Sequence, residues 1–253
     1  MQVIIMAGGL GSRLGSLTTD TPKPMLPVGD QPLLQRIVVQ LRECGFKCIH
    51  VSTFHCAEKI REYFGDGEEF GVHIKYLVEE TPLGTAGALG LLDNAGRGVL
   101  VLNGDILTTI DFNKMISFHH GNHAALTMAT HPHRVQIPYG VVESNGHHVL
   151  GMREKPQYSF SVNAGIYVLS PEAHATIQKG QRLMMSDVID SLITNRETVI
   201  AFPFEEYWLD IGQPEQYQQA QNDVQGLITK ARSTLLSTAT LFASSGLLDA
   251  LHF

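Results

Sequence analysis

Apolar positions along the chain alternate between two rhythms. Val3, Ile4 and Ile5 form a short uninterrupted run, as a strand buried on both faces requires. Leu34, Ile37, Val38 and Leu41 then recur at helical spacing, and Gly45 supplies a stop. The alternation continues with a strand predicted over residues 48–52, a helix over 57–64, a strand over 72–78, a helix opening at 84–87 and a strand over 98–102. Strand and helix repeating at this pitch predict an α/β fold with a mainly parallel sheet flanked by helices, and such sheets bind ligands beyond the carboxyl ends of their strands.

Past His133 the rhythm shortens. Residues 139–143 and 148–152, separated by a Ser-Asn-Gly turn, predict a hairpin, and a further apolar-rich segment, 162–171, follows. A helix over 186–194 is expected to turn Val188, Ile189, Leu192 and Ile193 inward, and a strand over 199–202 follows it. Tyr207 to Gly212 carries the only tryptophan, Trp208, and Gln213 opens a further helix. The pattern predicts one large domain over residues 1–228, with a small β-rich insertion in its second half. The stretch 229–253, rich in Leu, Ser, Thr and Ala, is either an amphipathic helix at a subunit contact or a frayed tail, the second being favoured.

Composition narrows the function. A net charge of −7 over 253 residues provides no basic field for a nucleic-acid backbone, so a nucleotide partner would be a small molecule. The surplus of carboxylates permits a divalent-cation site. Cys44, Cys48 and Cys56 are odd in number and lack paired CxxC spacing, which predicts reduced thiols in a cytoplasm. No apolar stretch is long enough to span a bilayer, and the chain opens on a strand rather than a signal peptide. Histidines at 119, 120, 123, 131 and 133, like His147 and His148, read as solvated groups rather than a metal site, because their spacing does not gather them on one face.

The chemistry concentrates at MAGGLGSRLGSLTTDTPKPMLPVG, residues 6–29, directly after the first buried strand. Gly8, Gly9 and Gly11 present backbone N–H groups without Cβ obstruction and can take positive φ, while Arg13 and Lys23 place positive charge beside the same turn. That arrangement suits a phosphate. The P-loop pattern GxxxxGK[ST] is absent, and the dinucleotide pattern fails because Leu14 stands at its third glycine position.

GGLGSRL followed by TPKPMLPVG resembles the signature of the sugar-phosphate nucleotidylyltransferases, and the later motifs extend the likeness over roughly residues 1–224. EETPLGTAGAL is closest to the mannose-1-phosphate guanylyltransferase branch. The resemblance implies a Rossmann-like sheet of the nucleotide-diphospho-sugar transferase type and nucleotidyl transfer from a nucleoside triphosphate, GTP favoured, to a sugar 1-phosphate, with Mg²⁺ as cofactor. It implies catalytic roles for Arg13, Lys23, Asp105 and Asp210, the two aspartates holding the metal. Nucleotide contacts are implied for Ala7, Gly8, Gly9, Gly11, Ser12, Arg13, Gly84, Thr85 and Asn103. Either Glu79 or Glu80 would accept hydrogen bonds from guanine, because a carboxylate accepts where guanine donates. Contacts to the sugar phosphate are implied for Gly140, Glu154, Lys155, Asn163 and Gly165, which places the nucleotide mainly on residues 1–133 and the sugar phosphate on 134–228.

Two departures stand out. Ser16 replaces a proline found in many members, and the β-helical carboxyl-terminal domain of longer guanylyltransferases has no counterpart, which leaves homo-oligomerisation and regulation open. Two alternatives also stay open: a thymidylyl- or uridylyltransferase acting on glucose 1-phosphate or on an amino or muramic sugar phosphate, and a non-catalytic sensor of sugar nucleotides.

Overall fold

A computed structural model describes residues 1–9 and 11–226, so residues 229–253, expected as a separate tail, lie outside the described residues. The first half runs as β1 (Gln2–Met6), the short pair β2 (Pro27–Val28) and β3 (Gln31–Pro32), α1 (Leu33–Glu43), β4 (Cys48–Thr53), α2 (Ala57–Phe64), β5 (His73–Val78), β6 (Val99–Asn103), β7 (Ile106–Thr108) and α3 (Phe112–Gly121). The second half runs as β8 (Leu126–Gln136), β9 (Val141–Asn145), β10 (His148–Arg153), β11 (Gln157–Leu169), α4 (Pro171–Ala175), α5 (Met185–Thr194), β12 (Val199–Pro203) and β13 (Trp208–Asp210). A helix from residue 214 continues to residue 226. The element expected to open at residues 84–87 is a short 3₁₀ turn, Gly87–Leu91, because Gly87 packs against the backbone of Gln181 and Leu183.

Seven strands form one sheet in the order β12-β8-β11-β6-β1-β4-β5. All neighbours pair in parallel except β11, which runs antiparallel to both β6 and β8. The central strands read as continuous apolar runs because both faces are covered: Val3, Ile4 and Ile5 in β1 and Val99 through Leu102 in β6 are fully buried. Helix α1 covers one face with Leu34, Ile37, Val38 and Leu41, the residues its periodicity singled out, and α5 covers the other with Val188 and Leu192. Ile193, expected inward, is instead exposed, since a third consecutive helical face falls beyond the stripe that reaches the sheet.

The β8 and β11 strands are long and pair from Leu126 opposite Leu169 out to Gln136 opposite Gln157, leaving residues 137–156 as the tip of the pair. That tip carries the predicted hairpin, β9 and β10, as a separate antiparallel ribbon. No helix among the described residues is long and apolar enough to cross a membrane.

One histidine reading is corrected. His119 is buried, 2% exposed, with its Nδ1 2.8 Å from Thr127 Oγ1, because α3 packs it against β8 rather than into solvent. Burial, reinforced by the neighbouring His120, pushes its imidazole down to about 4. The unfolded chain therefore binds a proton at this position below the ordinary histidine range while the folded chain does not. Stability contributed by neutral His119 is present above about pH 6.5 and is lost as pH falls toward 4; at pH 5 the loss is about 2 kcal/mol. His119→Gln should shrink the drop in urea midpoint between pH 7 and pH 5 relative to the unaltered protein; an unchanged drop would assign it to other groups.

Candidate active site

Strand register creates the site. Met6 at the end of β1 is opposite Ser52 of β4 on one side and Asn103 of β6 on the other, so three carboxyl ends finish in one row. A cavity of about 380 Å³ opens over that row. Ala7, Gly8, Gly9, Gly11, Ser12, Arg13, Glu79, Gly84, Thr85 and Asn103, ten of the expected nucleotide contacts, all line it, together with Lys23 and Asp105. Glu80 does not: it is exposed, whereas Glu79 is 6% exposed. The alternation of the backbone at the end of β5 turns one glutamate in and the other out.

The glycine turn uses its glycines in different ways. A Cβ on Gly8 would collide with the Glu79 carboxylate, so the absence of a side chain lets Glu79 stand against the loop. Gly11, with φ of 64°, takes the left-handed conformation that starts the 3₁₀ turn Ser12–Thr18 carrying Arg13, and the Thr18 hydroxyl donates to its carbonyl at 2.9 Å. Gly8 and Gly9 adopt no positive φ, and Gly9 has open space where a side chain would be.

Glu79 is held by the Leu83 N–H, which donates to its Oε2 at 3.0 Å, and burial pushes its carboxyl up despite that bond and the Ser52 hydroxyl. Ser52 was not singled out by sequence reasoning, yet its Oγ accepts from the Ala7 N–H at 3.2 Å and it faces Glu79. Only the β1–β4 register, which pairs it with Met6, could have drawn attention to it. Thr85 also has a second task, since its Oγ1 accepts from Met185 N–H at 2.8 Å and ties the cavity wall to α5.

Two distant aspartates meet here. Asp105 follows β6, and the chain turns at once into β7, which pairs antiparallel with β13 so that Ile106 is opposite Asp210. The Ile211 N–H donates to the Asp105 carbonyl at 2.9 Å and locks the two segments together. Lys23, buried at 7% exposure, places its Nζ 2.5 Å from Asp105 Oδ2 and 3.8 Å from Asp210 Oδ1. Burial pushes the Asp210 carboxyl up and the Asp105 charge adds to it, while Lys23 and Arg13 oppose both. Gly212 lies beside this pair, with Asp210 and Arg13 on either side of it.

The Oδ1 atoms of Asp105 and Asp210 are buried without a hydrogen-bond partner, the condition of an oxygen that awaits a cation or a donor. Among the described residues no group of three or more His, Cys, Asp and Glu side chains is placed to hold a metal alone. Two carboxylates completed by a ligand's phosphates match the way Mg²⁺ is usually bound.

The expected sugar-side residues lie on neighbouring elements, outside this cavity's lining. Gly140 and Glu154 sit side by side at the base of the β9–β10 ribbon. Lys155 is held at φ of 43°, a conformation rare for a residue with a side chain, and its carbonyl accepts from Gln136 Nε2 at 2.8 Å. Asn163 spends its amide on a bulge of β11, donating to the Tyr167 hydroxyl at 2.6 Å and accepting from the Gly165 N–H at 3.0 Å. Gly165 in turn abuts the Asn103 side chain, so the bulge touches the cavity through one residue.

Fold and cavity together gather a glycine turn, Arg13, Lys23 and Asp105 at the strand ends of a mainly parallel sheet. The chain belongs to the nucleotidyl transferase family, whose model matches residues 2–226. It is 32% identical over 232 residues to a D-glycero-alpha-D-manno-heptose 1-phosphate guanylyltransferase of Aneurinibacillus thermoaerophilus, covering 90% of this chain and 100% of that relative. It is 30% identical to a mannose-1-phosphate guanylyltransferase of Mycobacterium tuberculosis over 88% of this chain, and spans 64% of that longer protein. The crystal structure of HddC from Yersinia pseudotuberculosis superposes with a TM-score of 0.68 at 28% identity, covering 88% of this chain and 99% of the other.

The contact between the glycine turn and Glu79 can be tested directly. Gly8→Ala should destabilise the protein by about 1–3 kcal/mol in urea denaturation, the range for overpacking. Adding Glu79→Ala should recover a substantial part of that loss, whereas purely additive effects would show that the two residues do not meet.

Proposed function

We propose that the protein transfers a guanylyl group from GTP to a sugar 1-phosphate, giving a GDP-sugar and pyrophosphate, in the cytoplasm. The observation that carries this reading is the convergence of Asp105, Asp210 and Lys23 at the strand ends beside the glycine turn. A phosphate oxygen of the sugar 1-phosphate attacks the α-phosphorus in line, a new P–O bond forms, and the bond to the β-phosphate oxygen breaks as pyrophosphate leaves. The nucleophile is already an anion, so no general base and no covalent enzyme intermediate are required. What the protein must do is align two anions and neutralise the charge between them.

Asp105 and Asp210 are assigned to a Mg²⁺ ion, which when bound supplies positive charge between the reacting phosphates; their unpartnered Oδ1 atoms support the assignment. Arg13, on its 3₁₀ turn, is assigned to the leaving phosphates, and Lys23 to the α-phosphoryl group. Residues 1–133 form the nucleotide side, and residues 134–228 carry the sugar-phosphate contacts Gly140, Glu154, Lys155, Asn163 and Gly165.

Glu79 favours guanine over uracil or thymine. A buried carboxylate can accept from both N1–H and the exocyclic amine of guanine, where a pyrimidine offers one ring N–H. The names of the relatives from Aneurinibacillus and Mycobacterium support the same nucleotide. The thymidylyl or uridylyl reading is supported by a UTP–glucose-1-phosphate uridylyltransferase of Synechocystis at 32% identity and by the crystal structure of a putative glucose-1-phosphate thymidylyltransferase from Bacillus anthracis, at 27% identity and a TM-score of 0.72.

Assaying pyrophosphate release for four triphosphates against a panel of sugar 1-phosphates tests the proposal; GTP should exceed the others with at least one sugar, and no turnover in any pairing would leave a binding protein only. Asp105→Asn and Lys23→Ala should each lower kcat by about a hundredfold or more with circular dichroism unchanged. Near-normal turnover in either folded variant would remove its assigned role. Because burial raises the Glu79 carboxyl, GTP affinity should fall on acidification at a higher pH than an ordinary carboxylate would give. Glu79→Gln should flatten that profile, and an unchanged profile would detach Glu79 from the base.

A further inference from the structure

We infer that Lys23 has a second duty in the resting protein: its ammonium is the counter-ion that holds Asp105 and Asp210 together, and a divalent cation enters only by exchanging places with it. The inference rests on the metal assignment made above. Two carboxylates set side by side, one after β6 and one at the end of β13, repel, and the short ion pair to Asp105 Oδ2 with the longer approach to Asp210 Oδ1 offsets that repulsion before any ligand arrives. The Lys23 backbone has little freedom to move. It sits between Pro22 and Pro24, its carbonyl accepts from Leu26 N–H at 3.1 Å, and its Cβ lies against Gly11. The ammonium, on a flexible four-carbon stem, can move while the backbone stays.

Charge decides the rest. A divalent cation held by the two aspartates would neutralise both, and an ammonium bonded to the other oxygen of the Asp105 carboxylate would then repel the newcomer at close range. Lys23 is driven off, and the nearest demand for its charge is the phosphate lodged in the glycine turn. The two events therefore assist one another: phosphate draws Lys23 away and opens the aspartates, and the cation frees Lys23 for phosphate. In the absence of a triphosphate the protein should bind a divalent cation poorly although both aspartates are in place.

The test measures manganese binding to the nucleotide-free protein by the electron paramagnetic resonance of free Mn²⁺. Lys23→Met should bind Mn²⁺ about tenfold or more tightly than the unaltered protein, because a buried competing charge is removed. Arg13→Met, which removes a nearby charge that makes no ion pair to either carboxylate among the described residues, should change the affinity much less. Lys23→Met with Asp105→Asn should lose the tight site. No gain in Lys23→Met, or an equal gain in Arg13→Met, overturns the exchange while leaving the metal assignment standing. Tight binding that survives Asp105→Asn overturns the assignment of the aspartates itself. If Lys23→Met fails to fold, the unaltered protein still decides the matter: the Lys23 ammonium resonance, protected by its ion pair in ¹⁵N spectra of the metal-free protein, should vanish or shift when Mg²⁺ and pyrophosphate are added together, and an unmoved resonance overturns the exchange.

Discussion

The β7–β13 ribbon is the constraint on which the site depends. It is short, only Ile106–Thr108 against Trp208–Asp210, yet it carries the end of the second half of the chain to the end of a strand in the first. Hydrogen bonds of a ladder fix position to a fraction of a residue, and here they set two carboxylates at adjacent places instead of leaving their mutual repulsion to separate them. The apolar residues around the ribbon support it: Leu107, Leu209 and Ile211 pack with Val28, Leu33, Ala220 and Val224 in a small core of their own. That core draws on the short β2–β3 pair, α1 and the helix from residue 214, so residues well away from the chemistry decide where Asp210 points.

Much of this was legible beforehand, for identifiable reasons. Strands buried on both faces leave long apolar runs, and α1 and α2 leave clear stripes, so β1, β4, β6 and both helices could be read directly. The glycine turn was legible because ligand-binding segments follow buried strands in parallel sheets, whereas the roles of Lys23, Asp105 and Asp210 were implied by the family resemblance. Other features depend on pairing, which no single segment encodes. The reversed course of β11, the company Ser52 keeps with Met6 and the choice of Glu79 over Glu80 all follow from register or from one turn of the backbone. His119 was misread because a histidine beside another histidine carries no sign of which one faces the sheet.

The two sides of the cavity differ in construction. On the nucleotide side, residues are fixed by core strands, with Ser52 fully buried and Glu79 nearly so. The sugar-side residues stand on a bulged strand and on a ribbon whose apolar side chains remain in solvent: Val142, Val149, Leu150 and Met152 are each more than half exposed. Under the proposed assignment, the rigid half would bear the groups that meet reacting phosphates at set distances, and the open half those that recognise hydroxyls.

The placement of that ribbon at the tip of the β8–β11 pair has an evolutionary consequence. Its ladder is closed on itself, and β8 and β11 complete their own pairing without it, so substitutions and changes of length between residues 137 and 156 disturb neither the central sheet nor the aspartates. Under the proposed assignment, a lineage could vary Gly140, Glu154 and Lys155 by redrafting a single hairpin while Asp105 and Asp210 keep their places.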